Sequence, residues 1–343
     1  MLNSIHPMIE HKITTVILYC SKDQKFILKN IKNVIPFSHQ VVIIYFSHLF
    51  NGNLENEDII QETINEVNKL NKEKYNNNID IIFQKVDIDI NQSEFVNGLS
   101  KMRYYLCLGR WIGYNLVNSN TEYVLSLDCD EIAEPDKMID WLNNFDYRKY
   151  NVLKLANYYY FRKSTYRLKE YEDGQLFVNI KFTKIFDLVF NEWEREAFYK
   201  YIPEPKIRQV LGIDNKPFFH HFSWFGEQDD FISKLDTWAH IGSEHENNIY
   251  VKKNGKMIFI KILIRYYKSD IIGYSIFDNK EQITLSEIKL KELEDIPKSN
   301  YEYYDAKSSV KESILEEFNS EYFRKKDLVN RDYEIIEHND ILF

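Results

Sequence analysis

Four strand-like segments, the first of them a continuous apolar run rich in β-branched residues, fall within the first 130 residues. A stretch of helical periodicity separates each from the next, and that alternation leaves few folds open. The segments are Thr14 to Cys20 (TTVILYC), Val41 to Phe46 (VVIIYF), Ile79 to Val86 and Glu122 to Leu127 (EYVLSL). Continuous apolar runs, as opposed to alternating ones, mark strands covered on both faces. Between them, Asp23 to Val34, Glu55 to Leu70 and Leu99 to Val117 carry apolar residues at helical spacing. Right-handed strand–helix–strand crossovers then predict an α/β, doubly wound, Rossmann-like and mostly parallel sheet. Ligands on such sheets sit beyond the strand C-termini.

The second half is less regular. Val152 to Tyr160 and Phe177 to Phe186 read as strands, Phe218 to Trp224 as a short aromatic strand, and Asp229 to Ile241 as a helix. Beyond about residue 270 the chain is strongly charged and expected to be helical. No repeat and no Pro/Gly/Ser-rich linker divides it. One large domain with a C-terminal extension therefore fits 343 residues better than two independent domains.

Charge and composition narrow the chemistry. Lys plus Arg number 44 against 53 Asp plus Glu, a formal net charge of −9, so a bulk electrostatic nucleic-acid binder is not expected. An anionic ligand must then be met by a local cationic site or a metal. Only 10 glycines are present, with neither GxGxxG nor GxxxxGK[ST], so the backbone cradles that usually hold phosphate are missing. Cys20, Cys107 and Cys129 form no CxxC pair, which argues against a zinc–cysteine site or a disulfide framework. No apolar run reaches the roughly 18 residues of a membrane span. The start of the chain lacks the order of a signal peptide, so a cytoplasmic protein is the expectation.

The sharpest chemical signal is Leu125-Ser126-Leu127-Asp128-Cys129-Asp130-Glu131-Ile132, three carboxylates directly after a buried strand. In an extended segment Asp128 and Asp130 point to one side. Two carboxylates that converge there repel unless a cation or proton lies between them. Oxygen ligands of this kind suit Mg²⁺ or Mn²⁺ bridging to substrate phosphates. Such a metal would also relieve charge on a diphosphate leaving group. The plainer alternative is a solvated acidic loop before a helix that begins near Pro135.

Three segments together resemble the GT-A glycosyltransferases, the family 2-like group in particular. Thr15 to Ile27 resembles the opening strand and turn that hold the nucleotide, Gly109-Arg110-Trp111-Ile112-Gly113 resembles the ARNxG helix, and Glu122 to Glu131 resembles the strand with its metal-binding DxD. The resemblance covers about residues 13–145. It implies a catalytic domain over 1–268, a charged, mainly helical extension over 269–343, a nucleotide-sugar donor and a glycan or glycoconjugate acceptor. Tyr19, Ser21, Arg110 and Asp128 become donor-binding candidates, although a plain salt bridge also accounts for Arg110. Asp128 and Asp130 become metal ligands for Mn²⁺ or Mg²⁺. The acidic pair that the family carries after its second strand is replaced by Ser47-His48, so base and ribose recognition must differ.

A second cluster follows at His220-His221-Phe222-Ser223-Trp224, with Lys234-Leu235 and His240 beyond it. It resembles family 17 glycosyltransferases, which show D-x-D-E-I-P, then H-x-S-W, then K-L and a later His. Here Ala133 replaces the proline. The resemblance implies that a late His completes the metal shell. His221 is the candidate and His240 its competitor, and strand alternation sends His220 to the opposite face. Both families invert, which requires a base to deprotonate the acceptor hydroxyl. Glu194, within Asn191-Glu192-Trp193-Glu194-Arg195-Glu196, and Asp230 are the candidates. The alternatives are a nucleotidyltransferase of similar architecture, which would normally carry a Gly-rich basic loop after its first strand, and a non-catalytic carbohydrate-binding protein.

Overall fold

A computed structural model describes residues 11–76, 78–87, 99–167, 171–182, 195, 199, 202–225, 230, 234, 237 and the strand residues between 250 and 287. Strands β1 (Ile13–Leu18), β2 (Gln40–Phe46), β3 (Asp80–Val86) and β4 (Tyr123–Asp128) lie side by side in the order β3-β2-β1-β4, all parallel. Helices α1 (Gln24–Val34), α2 (Glu57–Tyr75) and α3 (Leu99–Asn115) connect them. The expected doubly wound α/β architecture is present.

Period-two alternation along β1 explains the two layers. Ile13 and Ile17 join a core with Phe26, Ile27 and Ile31 of α1 and Ile60, Ile64 and Val67 of α2. Val16 faces the other way, onto Leu108, Trp111 and Ile112 of α3. The glycines of α3 allow that helix to sit close to the sheet. A Cβ at Gly113 would lie 2.6 Å from Val16 Cγ1, and one at Gly109 2.9 Å from the Phe46 ring. Val16 is buried and stiff at χ1, so it has no room to yield. Gly113→Ala should therefore destabilise the protein by about 1–3 kcal/mol through overpacking, read as a lower urea midpoint.

Beyond β4 the sheet turns mixed. β5 (Glu131–Ala133), β6 (Val152–Arg167), β7 (Glu172–Asn179) and β9 (Phe219–Phe225) extend the order as β4-β7-β6-β9-β5. β8 (Lys206–Val210) and β14 (Ser286–Glu287) pair with β6 off this path. Helix α4 (Pro135–Asn144) starts at the proline, as expected. The strand expected at Phe177 to Phe186 instead runs over Glu172–Asn179 and gives way to a 3₁₀ turn at Ile180–Phe182. Its polar start is buried because partners meet it. Lys154 lies 3.3 Å from Asp173, and Gln175 accepts from Asn157.

A separate four-stranded antiparallel sheet comprises β10 (Tyr250–Lys253), β11 (Lys256–Phe259), β12 (Ile271–Ser275) and β13 (Glu281–Ile283). The described part of 269–343 is thus strand, and the remainder of the expected helical extension lies outside the described residues. No helix among the described residues is long and apolar enough to cross a membrane.

Candidate functional site

The C-termini of β1 to β4 open on one edge of the sheet, and the acidic residues gather there. β4 ends at Asp128, a tight turn covers Cys129 and Asp130, and β5 starts at Glu131. The segment is therefore not extended through Asp130. Asp128 and Asp130 acquire different partners instead of sharing one side of a straight strand. The turn is held from behind by α1. Asn30 is fully buried, and its Nδ2 donates to the carbonyls of Asp128, Cys129 and Glu131 at 3.2, 3.0 and 2.9 Å. Asn33, one turn on, donates to the Ala133 carbonyl at 2.7 Å.

Glu131 is completely buried and braces the turn from inside. Its Oε2 accepts the Asp128 backbone N–H at 2.8 Å. Arg195 Nη1 donates to both Glu131 oxygens at 2.7 and 2.9 Å and to the Gly174 carbonyl. Gly174 leaves room for this, since a Cβ there would come within 3.0 Å of Glu131 Oε1. The other arm of Arg195, Nη2, reaches Asp128 Oδ2 at 2.5 Å. Arg110 of α3, also buried, meets Asp128 Oδ1 at 3.2 Å. The pairing of Arg110 with the acidic turn is thus the outcome. Burial raises the Glu131 carboxyl above its usual pKa, against the pull of Arg195.

Asp130 belongs to a second group. β5 and β9 are antiparallel, with Glu131 opposite His221 and Ile132 opposite His220, and the Phe222 N–H donates to the Asp130 carbonyl at 3.0 Å. This register sets His221 Nε2 3.6 Å from Asp130 Oδ1. The other ring nitrogen of His221 lies 3.4 Å from Glu172 Oε2. Lys234 donates to Asp130 Oδ2 at 2.9 Å and to Ser223 Oγ at 3.2 Å. Burial alone would lower the His221 pKa, but Glu172, Asp130 and Glu131 together raise it to about 9. Asp130 is buried, yet Lys234 and His221 hold its carboxyl below the usual range. Asp23, at the start of α1, is pushed up to about 6 by burial and by the charge of Asp130.

His220 points away, as alternation requires. It lies 2.9 Å from the Tyr160 hydroxyl and 2.9 Å from Glu134 on the far face.

The remaining candidates divide. Tyr19 is a core residue whose hydroxyl shares a 2.8 Å hydrogen bond with Thr63 of α2, so its side chain does not face the site opening. Ser21 gives both its N–H and its hydroxyl to Glu55, a buried carboxylate in the loop after β2. Asp230 is exposed and pairs with Lys25 at 2.6 Å. Glu194 and His240 lie outside the described residues. Sequence reasoning passed over Asn30, Glu55, Glu172, Arg195 and Lys234 as site residues. Two hints were available: a pair of asparagines three apart in α1, and Lys234 in the K-L element.

The donor set can be tested against a divalent cation. Among the described residues, no group of three or more His, Cys, Asp or Glu side chains forms a ready cage. Asp130 and His221 offer two donors on one side, with the second nitrogen of His221 facing a carboxylate. Small hard cations commonly take one or two protein carboxylates and complete their shell with water and substrate phosphates. Ligating histidines are commonly steadied by a carboxylate at the other nitrogen. On those terms the residues fit Mg²⁺ or Mn²⁺.

No protein-family model matches the chain, and no curated protein does. Among solved structures, 4-diphosphocytidyl-2C-methyl-D-erythritol synthase of Anaerococcus prevotii is 13% identical, covering 65% of this chain and 96% of its own, at a TM-score of 0.37. S. aureus TarS 1–349 in complex with UDP-GlcNAc is 13% identical over 68% of this chain and 67% of its own, at 0.36. The glycosyltransferase GlyE of Streptococcus pneumoniae is 12% identical over 62% and 54%, at 0.32. Likeness this distant assigns no chemistry to the chain, and the fold rests on its own strand order and register.

Proposed function

We propose that this chain is a GT-A-type glycosyltransferase. It would move a sugar from a nucleotide-diphosphate donor to a hydroxyl of a glycan or glycoconjugate, with inversion and with a divalent cation bound by Asp130 and His221. The observation that carries this reading is the β5–β9 register, which seats His221 beside Asp130 at the C-terminal edge of the parallel strands. Ligands on such sheets bind at that edge.

The roles follow from charge and position. Lys234 presents an ammonium to the diphosphate, in place of the absent glycine-rich cradle. Arg110 and Arg195 fix the carboxylate of Asp128 toward the donor. Glu172 orients the His221 ring. The cation, when bound, supplies Lewis-acid stabilisation of the departing diphosphate. The acceptor proton goes to a carboxylate of the 191–196 segment, for which Glu194 is our assignment. Its chain neighbour Arg195 is held at the turn by Glu131 and Asp128.

Incubation with UDP- and GDP-sugars and Mn²⁺ tests this. The expected product is a nucleoside diphosphate, its release stops in EDTA, and the matching donor with Mn²⁺ raises the melting temperature. A nucleoside monophosphate would mark attack at phosphorus and favour nucleotidyl transfer. No donor-dependent melting shift with any nucleotide sugar would sink the enzyme reading.

A further inference from the structure

We infer that Lys234 is a built-in counter-ion of Asp130 that gives way only when cation and diphosphate arrive together, so that the divalent cation enters with the diphosphate and not ahead of it. The inference rests on the functional reading above.

Every oxygen of the two aspartates already faces a cation or the imidazole. Asp128 Oδ1 meets Arg110 and Oδ2 meets Arg195, while Asp130 Oδ2 meets Lys234 and Oδ1 faces His221. A cation that arrives alone finds this charge compensated and must displace one partner.

The three fixed cations are not equally displaceable. Arg195 is buried and is held by Glu131, Asp128 and the Gly174 carbonyl at once. Arg110 is buried in α3 beneath the sheet edge. Lys234 is the most exposed of the three, with 26% of its side chain open, and carries its charge on a flexible four-carbon stem. Its Nζ is steadied by Ser223 as well as by Asp130.

Moving Lys234 off Asp130 leaves a mostly buried ammonium without its carboxylate, which is costly unless another anion takes over. A diphosphate is such an anion. A cation held by Asp130 and His221 would supply positive charge that favours the same anion. Cation and diphosphate should therefore bind with positive coupling, and linkage makes that coupling reciprocal.

The probes are Mn²⁺ and inorganic pyrophosphate on the full chain, with Mn²⁺ binding read by electron paramagnetic resonance and calorimetry. In the wild type, pyrophosphate should tighten Mn²⁺ binding at least tenfold, within the roughly 5- to 150-fold range of such couplings. Lys234→Met keeps the stem and removes the charge. It should tighten Mn²⁺ binding in the absence of pyrophosphate, weaken pyrophosphate binding, and so reduce the coupling to near unity. Lys234→Arg should retain the coupling, which guards against a folding defect in the Met variant.

Equal Mn²⁺ affinity with and without pyrophosphate in the wild type would overturn the inference and leave the metal reading standing. Unchanged Mn²⁺ affinity in Lys234→Met would overturn it in the same way. Absence of Mn²⁺ and pyrophosphate binding in all three proteins would overturn the functional reading, and the inference with it.

Discussion

Asp130→Asn should lower sugar transfer by roughly 10²- to 10³-fold while the protein stays folded, with donor-stimulated Mn²⁺ binding lost alongside. The substitution keeps the shape of the side chain and removes the charge that faces both Lys234 and His221. Loss of several kcal/mol of transition-state stabilisation corresponds to a factor of that order. Stability should fall by about 1–3 kcal/mol, because Asp130 is buried and the Lys234 ammonium loses its charged partner while keeping a hydrogen-bond acceptor. The change also relieves the smaller of the two causes that raise Asp23 to about 6, which are burial first and the charge of Asp130 second. The two histidines give an internal control. His221→Ala should reproduce the loss of Mn²⁺-dependent donor binding. His220→Ala should leave that binding intact and cost about 1–3 kcal/mol of stability, because Tyr160 and Glu134 lose their shared partner. Reversal of the two phenotypes would mean that the β9 register is one residue off.

The parts of this molecule that were legible in the sequence are those fixed by local pattern. β2 announced itself because a strand buried on both faces is apolar nearly throughout, as in Val41 to Phe46, while β1, β3 and β4 were legible from shorter apolar stretches set between helical segments. The choice of His221 came from the resemblance of His221-Phe222-Ser223-Trp224 to H-x-S-W, alternation adding only that His220 faces the other way, and in the β5–β9 pairing the two side chains do part to opposite faces. β5 escaped because three residues are too few for any periodicity to show. The polar start of β7 escaped because Asp173 is met by Lys154 and Arg208, and Gln175 by Asn157, all on other strands. The bracing of the acidic turn was invisible for the same reason. Arg195 stands 64 residues from Glu131, Lys234 104 residues from Asp130, and Asn30 101 residues from the Glu131 carbonyl that it holds. Nothing local distinguishes a lysine or arginine that will cross such a distance from one that will face water. The aspartates advertise the site, and the residues that shape it come from elsewhere in the chain.

Arg195→Ala should be the most destabilising single change at the site, at about 3–5 kcal/mol, read as a lower urea midpoint with an unchanged slope. The reason lies with the partner left behind. Glu131 is completely buried, and Arg195 supplies two of the hydrogen bonds that its carboxylate receives. Without the guanidinium that carboxylate must stay charged and unpaired or take up a proton, and burial already pushes its pKa upward. Either outcome disturbs the bond from the Asp128 N–H to Glu131 Oε2, so the turn loosens as the pair is lost. Two further variants separate the buried charge from the missing contact. Glu131→Gln in the Arg195→Ala background removes the uncompensated charge and should recover more than half of the lost stability, because an amide costs far less to bury than a carboxylate. Arg195→Lys keeps one positive charge but cannot serve Glu131, Gly174 and Asp128 together, since its single ammonium lacks the planar fork. It should fall between Ala and wild type in stability and still lose most donor affinity, because Asp128 would no longer be held from both sides. An Arg195→Ala protein as stable as wild type would show that the Glu131 carboxylate does not depend on Arg195, and that the acidic turn is held by Asn30 and the β5–β9 pairing alone.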